Sequence, residues 1–198
     1  FDVIEATPEH RYQVLTKRPG VLWEYLKKRG GVPANVWIGV TIGHEKSLIR
    51  IEMMRRFRDL GARVLFVSAE PLLCDLAPRL DLRGIDWLIV GGESGGHAID
   101  RRLADRFLVT RARQSGRTSN GQTFDKAIGP WRPALHGETW VRHLRDLAQV
   151  EGVPFFFKQW GGSTPNSAGR ELDFRTWDEM PTVPGAMPEP EPKRDTKR

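Results

Sequence analysis

Val64-Leu65-Phe66-Val67 runs directly into Ser68-Ala69-Glu70, an apolar stretch that stops at a polar cluster. The pattern recurs at Tyr12-Gln13-Val14-Leu15 before Thr16-Lys17-Arg18, at Trp87-Leu88-Ile89-Val90 before Gly91-Gly92-Glu93-Ser94, and at Phe155-Phe156-Phe157 before Lys158-Gln159-Trp160. Val36-Trp37-Ile38-Gly39-Val40, ending at Thr41, fits the same scheme. Continuous apolar runs describe strands covered on both faces, the mark of a parallel sheet. Parallel strands that all end in polar residues gather them on one rim, where α/β folds keep their sites.

Between the runs lie segments with helical period. From His44 to Leu60, the residues Leu48, Ile51, Met54, Phe57 and Leu60 form one stripe, with Arg50, Arg55, Arg56 and Arg58 mostly elsewhere. Val21 to Lys28 is a second helix, stopped by Gly30-Gly31, and Glu138 to Gln149 a third, with Trp140, Val141, Leu144, Leu147 and Ala148 on one face. Strand and helix alternate, which predicts an α/β fold: a parallel, partial or open barrel of the TIM type, built from five to six βα units. At 198 residues, 39% hydrophobic and 28% charged, the chain has the size and composition of one globular domain.

The expected domain spans residues 1–180, interrupted at residues 97–131 by an excursion without clean period. That stretch carries Arg101, Arg102, Arg106, Arg111, Arg113 and Arg117 among Ser, Thr, Asn and Gly, and reads as part helix and part loop. Residues 181–198, rich in proline and mixed charge, have too little apolar area to fold and are predicted to be disordered. Phe1, Val3, Ile4 and Ala6 look like the tail of an element already under way, which predicts a preceding segment.

A net charge of +6 favours anionic partners. No apolar run approaches the roughly 20 residues that span a bilayer, so a cytoplasmic protein without a membrane partner is expected. Cys74, which follows Leu72-Leu73, reads as a small interior residue; one thiol makes no intrachain disulfide and no iron–sulfur cluster. The five histidines show no metal-ligand spacing, and no metal site is expected.

Lys17, Arg18, Glu70, Glu93, Lys158 and Gln159 all fall at strand ends and are the candidates for a ligand cavity. The carboxylates suit amino or ribose groups and the cations suit anions, while an ion-pair network closing the rim would need the same residues. The glycines from Gly91 to Gly96 leave room for a ligand to reach backbone N–H groups, but lack the lysine of a phosphate loop; a tight strand-to-loop turn explains them equally. Trp160 offers either a stacking face for a nucleobase or plain rim packing. Arg111, Arg113 and Arg117 are the candidates for contact with nucleic acid or a partner protein, against the alternative of a solvated basic surface.

Six blocks in order carry a resemblance: Tyr12-Gln13-Val14-Leu15-Thr16-Lys17-Arg18-Pro19, Val36 to Val40, Ser68-Ala69-Glu70-Pro71-Leu72-Leu73, Ile85 to Gly95, Val153 to Gly161, and Thr176-Trp177-Asp178-Glu179-Met180-Pro181. They resemble a family of phage and prophage proteins of unknown function that is itself similar to the radical S-adenosylmethionine barrels. The resemblance implies an ancestral enzyme acting on a nucleotide or nucleic acid in the host cytoplasm. Family members usually begin with three closely spaced cysteines suited to a [4Fe–4S] cluster that binds S-adenosylmethionine. This chain carries no such segment, so it is expected to hold neither cofactor unless a preceding segment supplies the cysteines. It departs from the family also in the excursion and at Phe174, where glycine is common. The competing expectation is a non-catalytic phage protein that binds a host protein or nucleic acid through its basic surface.

Overall fold

The computed structural model describes residues 1–95 and 107–182. Its centre is a five-stranded parallel sheet of β1 (Tyr12–Thr16), β2 (Val36–Thr41), β3 (Val64–Ala69), β4 (Trp87–Gly91) and β7 (Phe155–Gln159), in that spatial order. Two strands between them in sequence, β5 (Val109–Arg117) and β6 (Thr123–Pro133), form a separate antiparallel pair. Among the described residues there are four α-helices: α1 (Asp2–Ala6), α2 (Pro19–Arg29), α3 (Ile49–Arg55) and α4 (Leu135–Val150). All four strand pairings of the main sheet are parallel, so each strand delivers its last residues to the same edge. No helix among the described residues is long and apolar enough to cross a membrane.

One face of the sheet carries the main core. Val36, Ile38 and Val40 of β2, Leu65 and Val67 of β3, Leu88 and Val90 of β4, and Phe155 and Phe157 of β7 pack with Trp23 and Leu26 of α2, Ile51 and Met54 of α3, and Val141, Leu144 and Ala148 of α4. Each such side chain contributes about 1.5–3 kcal/mol on leaving water. The predicted helix from His44 to Leu60 is broken, with 3-10 turns at Glu45–Ser47 and Arg56–Leu60 on either side of α3. Its stripe nonetheless points inward as expected, with Ile51, Met54 and Phe57 buried.

The opposite face holds a smaller aromatic cluster of Trp37, Val64, Phe66, Trp87 and Ile89, with Phe156 and Met180 against it. Trp37 meets Trp87 edge-on at 5.9 Å, and Trp87 meets Phe156 edge-on at 5.8 Å, the geometry that ring quadrupoles prefer. Phe66 lies across Gly39, its register partner on β2, and a Cβ at Gly39 would collide with the ring.

Residues 170–180 fasten the outer edge of β7. The Phe157 N–H donates to the Trp177 carbonyl (2.9 Å), the Phe155 N–H donates to Glu179 Oε2 (2.9 Å), and Phe156 forms an antiparallel bridge with Asp178. Trp177 is buried, stacked by Arg175 at 3.7 Å and Arg145 at 5.1 Å. The segment turns back on itself at Leu172 and Arg175, whose N–H groups each donate to the other's carbonyl. Asp173 on this turn accepts from Arg145 Nη1 (2.7 Å) and Arg142 Nε (2.9 Å), and these guanidiniums, Arg145 foremost, hold its carboxyl below the ordinary value. Leu172 and Trp177 are buried against the body, whereas Phe174 is fully exposed.

The expectation for the excursion is corrected over its described part. Residues 109–133 form neither helix nor irregular loop but a long hairpin, exposed along most of its length. Strands wet on both faces have no need of an apolar period, which is why the stretch lacks one. Residues 97–106, with Arg101, Arg102 and Arg106, lie outside the described residues, as does the predicted disorder of residues 183–198.

Two predictions follow from backbone geometry. Gly39→Ala is expected to lower stability by about 1–3 kcal/mol by forcing Phe66 out of its place, read by chemical denaturation with a change in near-ultraviolet circular dichroism. Asp173 and Phe174 occupy left-handed backbone, with φ of 55° and 63°. Phe174→Gly should therefore raise stability by about 1 kcal/mol, read as a higher denaturation midpoint, because glycine takes that conformation without the Cβ penalty and Asp-Gly is a favoured pair for such a turn.

Candidate functional site

On the aromatic face, each strand changes character as it approaches the common edge. Trp37 and Gly39 give way to Thr41 on β2, Val64 and Phe66 to Ser68 and then Glu70 on β3, Trp87 and Ile89 to Gly91 on β4, and Phe156 to Lys158 on β7. This follows from the period of two in strand side chains, which keeps every second residue on one face. Ser68 and Thr41 are buried polar residues of this row.

Glu70 and Lys158 meet across the strand that separates them. Lys158 Nζ donates to Glu70 Oε2 at 2.9 Å, and Ser68 Oγ donates to Oε1 at 3.3 Å. Their strands are not neighbours, since β4 runs between, and Gly91, which offers no side chain there, leaves room for the bridge. A Cβ at Gly91 would stand 3.2 Å from the Glu70 carboxyl group. The register also slips between Val90 and Gly91, where Lys158 is passed over in the pairing of β4 with β7. The Lys158 side chain is 54% exposed against 18% for Glu70, so solvent screens the pair and its net contribution to stability is at most about 1 kcal/mol. Such a pair can exchange partners with an incoming ligand at little cost.

The remaining predicted residues are placed differently. Gln159 is buried, and its amide donates to the Gly92 carbonyl (3.3 Å) and Ser94 Oγ (3.4 Å), holding the chain that leaves β4. Glu93 is half-buried and its backbone carbonyl accepts from the Gly162 N–H at 2.9 Å. Lys17 and Arg18 are exposed at the exit of β1, an edge strand with β2 between it and β3; the Arg18 N–H donates to Thr16 Oγ1 at the start of α2. Among the described residues, no hydrogen bond or ion pair joins Lys17, Arg18 or Glu93 to the Glu70–Lys158 pair.

The glycine cluster serves close chain packing. A Cβ at Gly92 would run into the Trp160 carbonyl, and one at Gly161 into the Glu93 carbonyl, so the extensions of β4 and β7 touch backbone to backbone. Trp160 is buried, edge-on to Phe157 at 4.6 Å, with its indole N–H on the Glu171 carbonyl (2.8 Å); it packs the rim. Cys74 is half-buried.

On the hairpin, Arg111 donates to the Gly129 carbonyl (2.9 Å) and lies over Trp131, and Arg113 pairs with Asp125 at 2.9 Å. These two stiffen the ribbon itself. Arg117 borders an open cleft of about 560 Å³ near the tip, with Ser115, Gly116, Thr123, Phe124 and Asp125. Phe124 packs on Gly116, with Lys126 Nζ 5.8 Å from its ring centroid. Sequence reasoning passed over Lys126 and Arg132, which the strand pairing places opposite Gln114 and Thr110.

Residues 1–137 and 132–181 match a family model described as a protein of unknown function (DUF5131). The chain belongs to that family. The two matched stretches overlap at residues 132–137, where the DUF5131 chain leaves the hairpin and enters α4. Comparison with curated proteins and with solved structures finds no match.

The buried amide of Gln159 yields a prediction about this edge. Gln159→Leu should cost about 1 kcal/mol of global stability and accelerate hydrogen exchange at residues 92–95 well beyond that of β3, measured by mass spectrometry.

Proposed function

We propose that this chain binds nucleic acid through the β5–β6 ribbon, as part of an α/β protein whose ancestral role is the modification of a nucleotide or nucleic acid. One observation carries the reading. Residues 107–133 hold the cations Arg111, Arg113, Arg117, Lys126 and Arg132 against a single carboxylate, Asp125, so the ribbon accounts for most of the chain's net charge of +6. That charge stands on a narrow, exposed, two-stranded element, and a β-ribbon fits the roughly 12 Å major groove of duplex DNA. Arg117, with the hydroxyls of Ser115 and Thr123 at the same cleft, suits phosphate oxygens. Arg111 and Arg113, already engaged within the ribbon, fix its shape.

The resemblance to phage and prophage proteins and to radical S-adenosylmethionine barrels belongs to the same proposal. Supporting it are five parallel strands that follow one another in chain order with helices packed on one face, the arrangement of a barrel section. The residues at hand do not fit an iron–sulfur cluster. A cluster takes three or four thiolates and Cys74 is the one cysteine of the sequence, so no redox step is assigned to this chain.

The test is fluorescence anisotropy with a duplex DNA oligonucleotide over a series of salt concentrations. Arg117→Ala with Lys126→Ala should weaken binding and lower the slope of log affinity against log salt by about 2. Arg111→Ala should act mainly by loosening the ribbon. Unchanged affinity and slope in the double variant would defeat the reading, and preference for a single strand would move the contact out of the groove.

A further inference from the structure

We propose that the exit of β2 forms a binding site for a phosphate monoester. The chain leaving Thr41 curls through Gly43 and His44 into the 3-10 turn Glu45–Ser47, then enters α3, enclosing an open cleft of about 300 Å³ lined by His44, Lys46, Ser47 and Arg50. Three of those four side chains are basic and none is a carboxylate. Glu45, the acidic residue within the turn, is paired with Arg79 Nη1 at 2.6 Å.

The donors are held in place before any ligand arrives. Arg50 Nη1 donates to the Thr41 carbonyl at 2.6 Å, which fixes the guanidinium beside the strand end and leaves its other N–H groups for an oxyanion. His44 Nδ1 accepts from the Lys46 N–H at 3.3 Å, so the ring proton of the neutral imidazole sits on Nε2 as a donor. Ser47 Oγ donates to the His44 carbonyl at 2.5 Å and accepts from the Gly43 N–H at 3.3 Å, closing the loop on itself. The loop is also pinned to the exit of β3: the Leu73 N–H donates to the Gly43 carbonyl at 2.9 Å, and a Cβ at Gly43 would collide with the Pro71 carbonyl. Preformed donors spare a ligand the ordering cost of binding.

Charge and size select the ligand class. A monoester phosphate carries close to two negative charges at neutral pH and three terminal oxygens, whereas a diester carries one charge and two such oxygens. Three cationic or N–H-donating groups converging on one small cleft match the former. The cleft is at the lower end of ligand-pocket volumes, suited to a phosphate with the sugar it is attached to. It lies at the carboxyl end of a parallel strand, beside the loop that carries Glu70, where open α/β sheets receive ligands. This site does not depend on the ribbon.

The experiment is isothermal titration of the full chain with adenosine 5′-monophosphate and, as the diester probe, adenosine 3′,5′-cyclic monophosphate, at constant ionic strength. Saturable binding of the monoester, at least about tenfold tighter than the diester, is expected, with Lys46→Ala and Arg50→Lys each weakening it by about tenfold. Arg117→Ala with Lys126→Ala should leave it unchanged, which separates the failure of this site from failure of the ribbon. Equal affinity for the two probes, or full affinity in Lys46→Ala, would overturn the proposal; Lys46 is exposed and Arg50→Lys retains the charge, so both variants fold. Oligonucleotides with and without a 5′-phosphate then identify the source. Tighter binding of the phosphorylated strand, lost in Lys46→Ala, supports the site as a reader of strand ends, and equal binding of both supports it as a mononucleotide site.

Discussion

Two missing side chains shape the face of the sheet that the helices do not cover. At Gly39 the gap admits the ring of Phe66, which packs tilted against Trp87 while Trp37 meets Trp87 edge-on. At Gly91 the gap admits the carboxylate of Glu70, which then reaches Lys158 over the backbone of β4. The first closes the apolar half of the face and the second opens its polar half. A Cβ at Gly39 would collide with the Phe66 ring, and one at Gly91 would press on the Glu70 carboxyl group. The glycines at 92 and 161 act in another way, letting main chain touch main chain so that the edge beyond the sheet stays ordered.

The strands were the most legible part of the sequence, because a strand buried on both faces must be apolar without interruption and the signal does not depend on what lies elsewhere. Val64 to Val67 and Trp87 to Val90 could be read residue by residue, and their shared direction follows from the helices between them. That direction puts Glu70 and Lys158 on one rim with the other strand-end residues, and the structure joins these two, 88 positions apart in the chain. What could not be read was the consequence of alternation within each strand. Gln159 follows Lys158 in the chain, yet turns into the structure to hold Gly92, while Ser68 and Arg50, which were not among the candidates, brace the edge.

The hairpin was missed for the opposite reason. Its strands bury little, so no hydrophobic rhythm betrays them, and a list of arginines hides the alternation of Arg113, Ser115 and Arg117 on one side with Gln114 and Gly116 on the other. The local signal was present in Asn120-Gly121, a turn-forming pair between two extended runs, and Gly121 does take a positive φ of 82°. Phe174 carries geometric information as well, since the backbone at that position is left-handed, a conformation that glycine takes without the Cβ penalty.

The two flanks of the sheet are unequal. Residues 177–179 lie along β7 and occupy its outward hydrogen-bonding groups, whereas no strand among the described residues lies along the outer side of β1. A sheet sealed on one flank can be lengthened only from the other. Strand addition to this sheet therefore has one open flank rather than two, and the residues that anchor Trp177 are the ones that close the other.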